Sequence, residues 1–233
     1  MSGAPRKAID RAEAALGRVT ALGQGWITSA VLVGSAVLGD WREDRSDVDL
    51  LLVTDAPLSP EVRKAWTQAA RLGAKGTELV LADPAALAGT ELNVMVALQT
   101  ASQSGLVLRG SAPAAPDRNR LAAVLEGNLG SYWRPWLDRA RGRGLGWPTA
   151  AMFTPFGTVW SLAGIARIRS TLVDGRIISK REALNRALGR LPEFREILDE
   201  AGRLRDGAGP RMGRLERRRQ ALACADDLLS RRW

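Results

Sequence analysis

Residues 47–53, Asp-Val-Asp-Leu-Leu-Leu-Val, constrain the fold more than any other segment of the chain. The consecutive apolar residues after Asp49 read as a strand buried on both faces. In a strand, residues i and i+2 share a face, so Asp47 and Asp49 project together while Val48 and Leu50 point the other way. An earlier apolar run, Trp26 to Val33, ends in Gly34-Ser35; Ala36 to Leu38 fits one helical turn, and residues 39–46 form a polar loop. A later run, Thr77 to Leu81, reads as a third strand. Before it, Ser59-Pro60-Glu61 has the marks of a helix start: a serine cap, proline in the first turn and an early acid. That helix carries Val62, Trp66, Ala69 and Leu72 as its apolar stripe and ends within residues 73–76. Residues 5–22 read as an amphipathic helix with Ile9, Ala12, Leu16 and Val19 on one side, broken at residues 23–25. Leu106 to Leu108 is a last short strand, and residues 91–100 fit neither pattern.

The pattern changes near residue 112. Pro113 and Pro116 mark a linker, and strand signals then vanish. Helical stripes run over 119–141, 156–173, 179–191, 193–205 and 211–230, separated by Gly/Pro-rich breaks such as residues 142–148. The expected fold is α+β: residues 1–112 form a mixed β-sheet with helices, and residues 113–233 form an α-helical bundle.

Composition removes whole classes of chemistry. The chain has no histidine, which excludes Ser-His-Asp hydrolysis and His-ligated metals. Its one cysteine, Cys224, forms neither an internal disulfide nor a thiolate cluster, and a reducing cytoplasm is the expected compartment. No apolar run reaches the roughly 18 residues of a membrane span, and the N-terminus lacks a signal-peptide core. Net charge is +9, unevenly divided: 11 Lys/Arg against 12 Asp/Glu in residues 1–110, and 23 against 13 in residues 111–233. A basic second half is suited to nucleotide phosphates, nucleic acid or an acidic substrate. Arg211, Arg214, Arg217, Arg218 and Arg219 read either as a solvated helix face or as a grip on phosphates. Trp133 and Trp136, at i and i+3, read as core packing, with an aromatic platform as the alternative.

The chemistry concentrates between Val31 and Val53: strand, Gly34-Ser35, an eleven-residue gap, Asp47-Val48-Asp49, strand. Paired carboxylates repel unless a cation neutralises them. Magnesium favours one or two carboxylates together with substrate phosphates. A glycine after a buried strand lets phosphate approach the backbone, Ser35 offers a hydroxyl, and the following amides donate to phosphate oxygens. Glu78, on the next expected strand, adds a third carboxylate. Three acids on neighbouring strands suit metal-assisted nucleotidyl transfer, with a nearby glutamate as proton acceptor.

VLVGSAVLGDWREDRSDVDLLLV resembles the signature of the nucleotidyltransferase superfamily related to DNA polymerase beta, most of all the streptomycin/spectinomycin 3''-adenylyltransferases. WSLAGIARIRSTLVDGRIISKREALNRALGRLPEFREILDEAGRLRDG is similar to that family's helical C-terminal domain. The resemblance implies transfer of AMP from MgATP to a hydroxyl, with the helical domain closing the nucleotide cleft. It implies that Asp47 and Asp49 bind Mg2+, that Glu78 is the general base, and that Gly34 and Ser35 meet the triphosphate. Ser46 then lies beside the metal, and Arg167 and Lys180 contact the nucleotide from the helical domain. The implied partners are a nucleoside triphosphate and a small-molecule acceptor, an aminoglycoside, aminocyclitol or related natural product. A cytoplasmic, monomeric enzyme without a membrane partner is expected.

Some positions depart from the family. Only 27 residues separate Glu78 from the Leu106 strand, where the family has a longer segment that contacts streptomycin. A family aspartate of the middle segment is replaced near Asn93 or Val94, and no Asp or Glu occurs from Ala150 to Val173, where the family holds a cationic drug. Phe153, Phe156 and Trp160 lie there instead. Two other functions remain open on sequence grounds: nucleotidyl transfer to RNA or protein, and a non-catalytic nucleotide-binding module.

Overall fold

The computed structural model describes residues 3–23, 26–72, 76–142, 146–231 and 233. Parts of three expected Gly-rich breaks, residues 24–25, 73–75 and 143–145, lie outside the described residues. The chain divides into two compact units, Met1–Leu121 and Ala122–Trp233.

In the first unit, β1 (Ile27–Val33), β2 (Val48–Thr54), β3 (Thr77–Ala82) and β4 (Leu106–Arg109) form one sheet in the order β3-β2-β1-β4. β1 is antiparallel to both β2 and β4, whereas β2 and β3 are parallel. Parallel neighbours need a long crossover, and α2 (Pro60–Arg71) lies within it. Ser59 starts α2 as expected, its Oγ accepting from the Val62 amide at 3.3 Å. The remaining helices are α1 (Arg6–Thr20), α3 (Pro84–Ala88) and α4 (Leu92–Ser104). Ala30, Leu32, Val48, Leu50 and Leu52 pack with α1 and α2. Val31, Val33, Leu51 and Ala82 pack with α3 and α4 on the other face. β2 is therefore covered on both sides, which accounts for its unbroken apolar run.

Three local expectations change. The buried stripe of α1 is Ala8, Ala12, Ala15 and Val19, with Ile9 and Leu16 only partly buried beside it. Leu72 lies beyond the end of α2 and is exposed, while Ala70 takes its place in the core. Residues 92–100 belong to α4, with Glu91 just before its first turn. This helix buries Val94, Met95, Ala97, Leu98, Thr100 and Ala101 around much of its circumference, which blurs the helical period.

The second unit is helical. α5 (Arg118–Asn128) begins just before it and passes through a π-helical turn at Leu129–Trp133 into α6 (Arg134–Arg141). Pro135 has no amide hydrogen to continue the ordinary ladder, and the turn widens in front of it. α7 (Trp147–Ala151), α8 (Pro155–Asp174), α9 (Lys180–Arg190), α10 (Arg195–Arg205) and α11 (Arg214–Ser230) follow. Trp133 and Trp136 are core residues of this unit, with Leu162, Ile165, Leu184, Leu198 and Leu228. Gly164 admits the Trp133 ring: a Cβ there would lie 2.6 Å from it.

Several arginines are structural. The last carbonyls of a helix have no partner within it and attract cations. Arg18 donates to Ala69 and Ala70 O at the end of α2, at 2.8 and 3.0 Å. Arg120 does the same for Leu87 and Gly89 O after α3. Arg169 donates to Leu228 and Leu229 O at the end of α11, and Arg218 to Ala140 O in α6. Arg217 is buried and donates to Met212 and Phe153 O, at 3.2 and 3.0 Å. Arg219 pairs with Glu216 of the preceding turn. Within the run, Arg217 and Arg218 are thus tied to neighbouring carbonyls and Arg219 to Glu216, while Arg211 and Arg214 are exposed.

Candidate active site

The register of the first unit assembles the acids. Leu32 pairs with Leu50 and Val33 with Asp49 across β1 and β2; Asp49 pairs with Glu78 across β2 and β3. Residues opposite one another in a sheet project to the same face, with strands about 4.8 Å apart. Val33, Asp49 and Glu78 thus form one row. The row before it is Val31, Leu51 and Val80, which belongs to the apolar layer under α3 and α4. The acids continue this apolar column beyond the point where the helices cover it. Asp49 is half-buried, and Asp47 and Glu78 are exposed.

Two glycines seat the paired carboxylates. Gly34 follows β1 at φ +69°, in the left-handed region, and a Cβ there would lie 1.8 Å from Asp49 Oδ2. Gly76 precedes β3 at φ +65°, and a Cβ there would lie 1.9 Å from Asp47 Oδ1. The Val48 amide donates to Gly76 O at 2.6 Å, which brings Asp47 alongside this glycine. Each carboxylate occupies the space a side chain would fill. The sequence reading found Gly34 but missed Gly76. Its signal is a glycine immediately before a strand parallel to the one that Asp47 opens.

The loop between these elements is closely bonded. Gly34–Ala36 forms one 3-10 turn, starting two residues earlier than the expected turn at Ala36. Ser35 is half-buried, and its carbonyl accepts from the Asp40 amide at 3.1 Å. Ser46 Oγ accepts from the Arg42 amide at 2.9 Å, and the Ser46 amide donates back to Arg42 O at 2.8 Å. This reciprocal pair closes a small ring just before Asp47.

Arg167 and Lys180 belong to the second unit. Arg167 is half-buried in the C-terminal half of α8, and Lys180 is half-buried at the first position of α9. The chain turns between the two helices at Gly175, φ +73°. Ser179 caps α9, its Oγ accepting from the Glu182 amide at 3.1 Å. In the same unit Phe153 lies under the Arg218 guanidinium, 4.8 Å from the ring centre. Phe156 is exposed and stacks on Trp160, with ring centres 6.4 Å apart.

The donor set suits magnesium. Asp47, just before β2, and Asp49, within it, are the two carboxylates that would hold this ion, which completes its shell with substrate phosphates and water. Among the described residues, no group of three Asp, Glu, His or Cys side chains is close enough to hold an ion. Glu78 therefore stands in register with Asp49 as a neighbour of the pair and does not complete a three-acid cage.

The model of the nucleotidyltransferase domain matches residues 15–79, which span the Gly34 turn, Asp47, Asp49 and Glu78. The model of the aminoglycoside adenylyltransferase C-terminal domain matches residues 154–231, which include Arg167 and Lys180. Together they cover more than half of the chain. Among curated proteins, no sequence matches. Among solved structures, the chain is similar to the spectinomycin adenyltransferase AAD(9) from Enterococcus faecialis, whose crystal structure contains ATP and spectinomycin. That likeness has a TM-score of 0.67 at 16% identity and covers 97% of this chain and 99% of the other, and it shows a shared fold. Both halves of the molecule thus match models that meet in one enzyme class, and the chain belongs to the nucleotidyltransferases of the aminoglycoside adenylyltransferase type.

Proposed function

We propose that this enzyme transfers AMP from MgATP to a hydroxyl of a small-molecule acceptor and releases pyrophosphate. The acceptor class is an aminoglycoside or aminocyclitol antibiotic or a related natural product. The observation that carries the reading is the row Val33, Asp49 and Glu78, with Asp49 seated over the left-handed Gly34. Asp47 and Asp49 would hold Mg2+, which when bound would polarise the α-phosphate and offset charge on the leaving pyrophosphate. Gly34 keeps the backbone open to the triphosphate, and Ser35 donates its hydroxyl to it. Ser46 borders the same phosphates. Glu78 takes the proton of the acceptor hydroxyl as its oxygen bonds to the α-phosphorus and the bond to the pyrophosphate oxygen breaks. The family resemblance, with the match over residues 154–231, also supports a nucleotide-binding role for Arg167 and Lys180. No Asp or Glu occurs between Ala150 and Val173, which favours a weakly charged or neutral acceptor over a polycation.

The test is pyrophosphate release with MgATP across a panel of polycationic aminoglycosides, weakly basic aminocyclitols and neutral polyols, with mass spectrometry of the products. One acceptor gains a single AMP, and Asp47→Ala and Asp49→Ala abolish the reaction. Release that requires RNA or a protein acceptor overturns the small-molecule reading. An undiminished rate in Asp47→Ala overturns the site.

A further inference from the structure

The carbonyl of Asp47 lies past the end of the β1–β2 ladder, whose final pair is Val33 with Asp49. β1 therefore offers it no amide. The indole of Trp41 does so instead: Nε1 donates to Asp47 O at 3.2 Å. Trp41 is itself held from the other side. The Arg11 guanidinium lies over its ring, 5.4 Å from the centre, and Arg11 also donates to Glu43 O at 3.4 Å. One turn earlier on the same helix, Lys7 pairs with Glu43 at 2.8 Å. Helix α1 is rigidly based, because Ala8, Ala12, Ala15 and Val19 are buried against the sheet. A continuous chain of contacts thus runs from the core through α1 and Trp41 to the main chain of Asp47. The Arg42–Ser46 ring stiffens the loop between them.

We propose that Trp41, braced by Arg11, is a positioning residue that fixes the Asp47 backbone so that its carboxylate meets the cation together with Asp49. This rests on the assignment of Asp47 to Mg2+ made above. Asp47 is exposed and precedes the strand, so sheet pairing alone leaves its carbonyl side unsupported. A cationic ring contact and a hydrogen bond supply that support at small cost, because both partners are already anchored.

The experiment uses the full chain with saturating ATP. Mg2+ is titrated and read by thermal shift, then by Mn2+ binding in electron paramagnetic resonance, so that no acceptor is needed. Trp41→Phe keeps an aromatic ring under Arg11 and removes the donor together with part of the ring surface. Loss of one neutral hydrogen bond corresponds to about a fivefold rise in the half-saturating Mg2+ concentration. Arg11→Gln leaves the donor and loosens the brace, and raises that concentration by about twofold to threefold. A purely structural role lowers the melting temperature without moving the Mg2+ midpoint, and that result in both variants overturns the proposal. Where Trp41→Phe melts too low to titrate, Arg11→Gln alone decides by the same midpoint. A wild-type protein with no Mg2+-dependent response to ATP defeats the nucleotide site itself, whereas a normal wild-type response with unmoved variants defeats only the positioning role.

Discussion

Replacing Gly34 by alanine puts a methyl group where the Asp49 carboxylate lies. The new Cβ would stand 1.8 Å from Oδ2, 2.6 Å from Cγ and 3.0 Å from Cβ of Asp49. Rotating the carboxylate away relieves the first two contacts. The third persists because the Asp49 Cβ is fixed to the strand. The backbone at φ +69° adds its own strain, about 1–2 kcal/mol for an L-residue, against a gain of about 0.4–1 kcal/mol from the stiffer unfolded chain. With the residual collision, the net loss is about 1–3 kcal/mol, a fall in melting temperature of roughly 3–10 °C. The larger effect is on the reaction, since a displacement of about 1 Å at a reacting centre costs on the order of 100-fold. Gly127→Ala is the control: that helical glycine has nothing within 4 Å of its would-be Cβ. There alanine raises helix propensity, and the melting temperature stays level or climbs. Melting curves and pyrophosphate release measure both effects. A Gly34→Ala protein that melts within 1 °C of the wild type and turns over at the wild-type rate refutes the assignment of Gly34 as the seat of Asp49.

Two further outcomes are expected. Asp83 is buried, caps α3 through the Ala86 amide at 2.9 Å, accepts from the Leu58 amide at 3.2 Å and pairs with Arg63. Burial pushes its carboxyl up, but these amides and the guanidinium outweigh that and hold it below the ordinary carboxylate range. Its stabilisation is therefore complete above the unfolded value near 4 and disappears as pH falls through the lower folded value. Asp83→Ala loses about 2–4 kcal/mol in urea melts at pH 7, and the deficit relative to wild type narrows below pH 4; a deficit constant with pH contradicts this. Cys224 is fully buried in the helical core, and burial, with Asp227 and Glu193 nearby, pushes its thiol far above the usual range. A thiol reagent at pH 8 leaves the native protein unlabelled and modifies one group after denaturation; rapid native labelling contradicts the packing around α11.

Much of this protein is legible in its order of residues. The runs that become β1, β2 and β3 are apolar because sheet faces must be dry, and the caps at Ser59 and Ser179 announce α2 and α9 through local hydrogen bonds. The Gly34-Ser35 to Asp47-x-Asp49 spacing points to the candidate site, because a strand's two-residue period turns positions 47 and 49 toward one face. Longer-range facts are not written locally. α4 has no readable stripe because it is covered on several sides, and α1 turns its alanines inward in place of Ile9 and Leu16 so that it can lie close to the sheet. The destinations of the arginines depend on which helix end folds beside each one. The alignment of Asp49 with Glu78 is a register between strands joined by a helix, and a slip of one residue would send Glu78 to the opposite face. Sequence by itself determined the two kinds of layer and marked Asp47 and Asp49 as candidates, since both signals arise from residues a few places apart. Only the tertiary structure decided that Glu78 stands in register with Asp49, that Gly76 lies against the Asp47 carboxylate and that Trp41 bonds the Asp47 carbonyl, because contacts between distant segments are set by how whole elements pack.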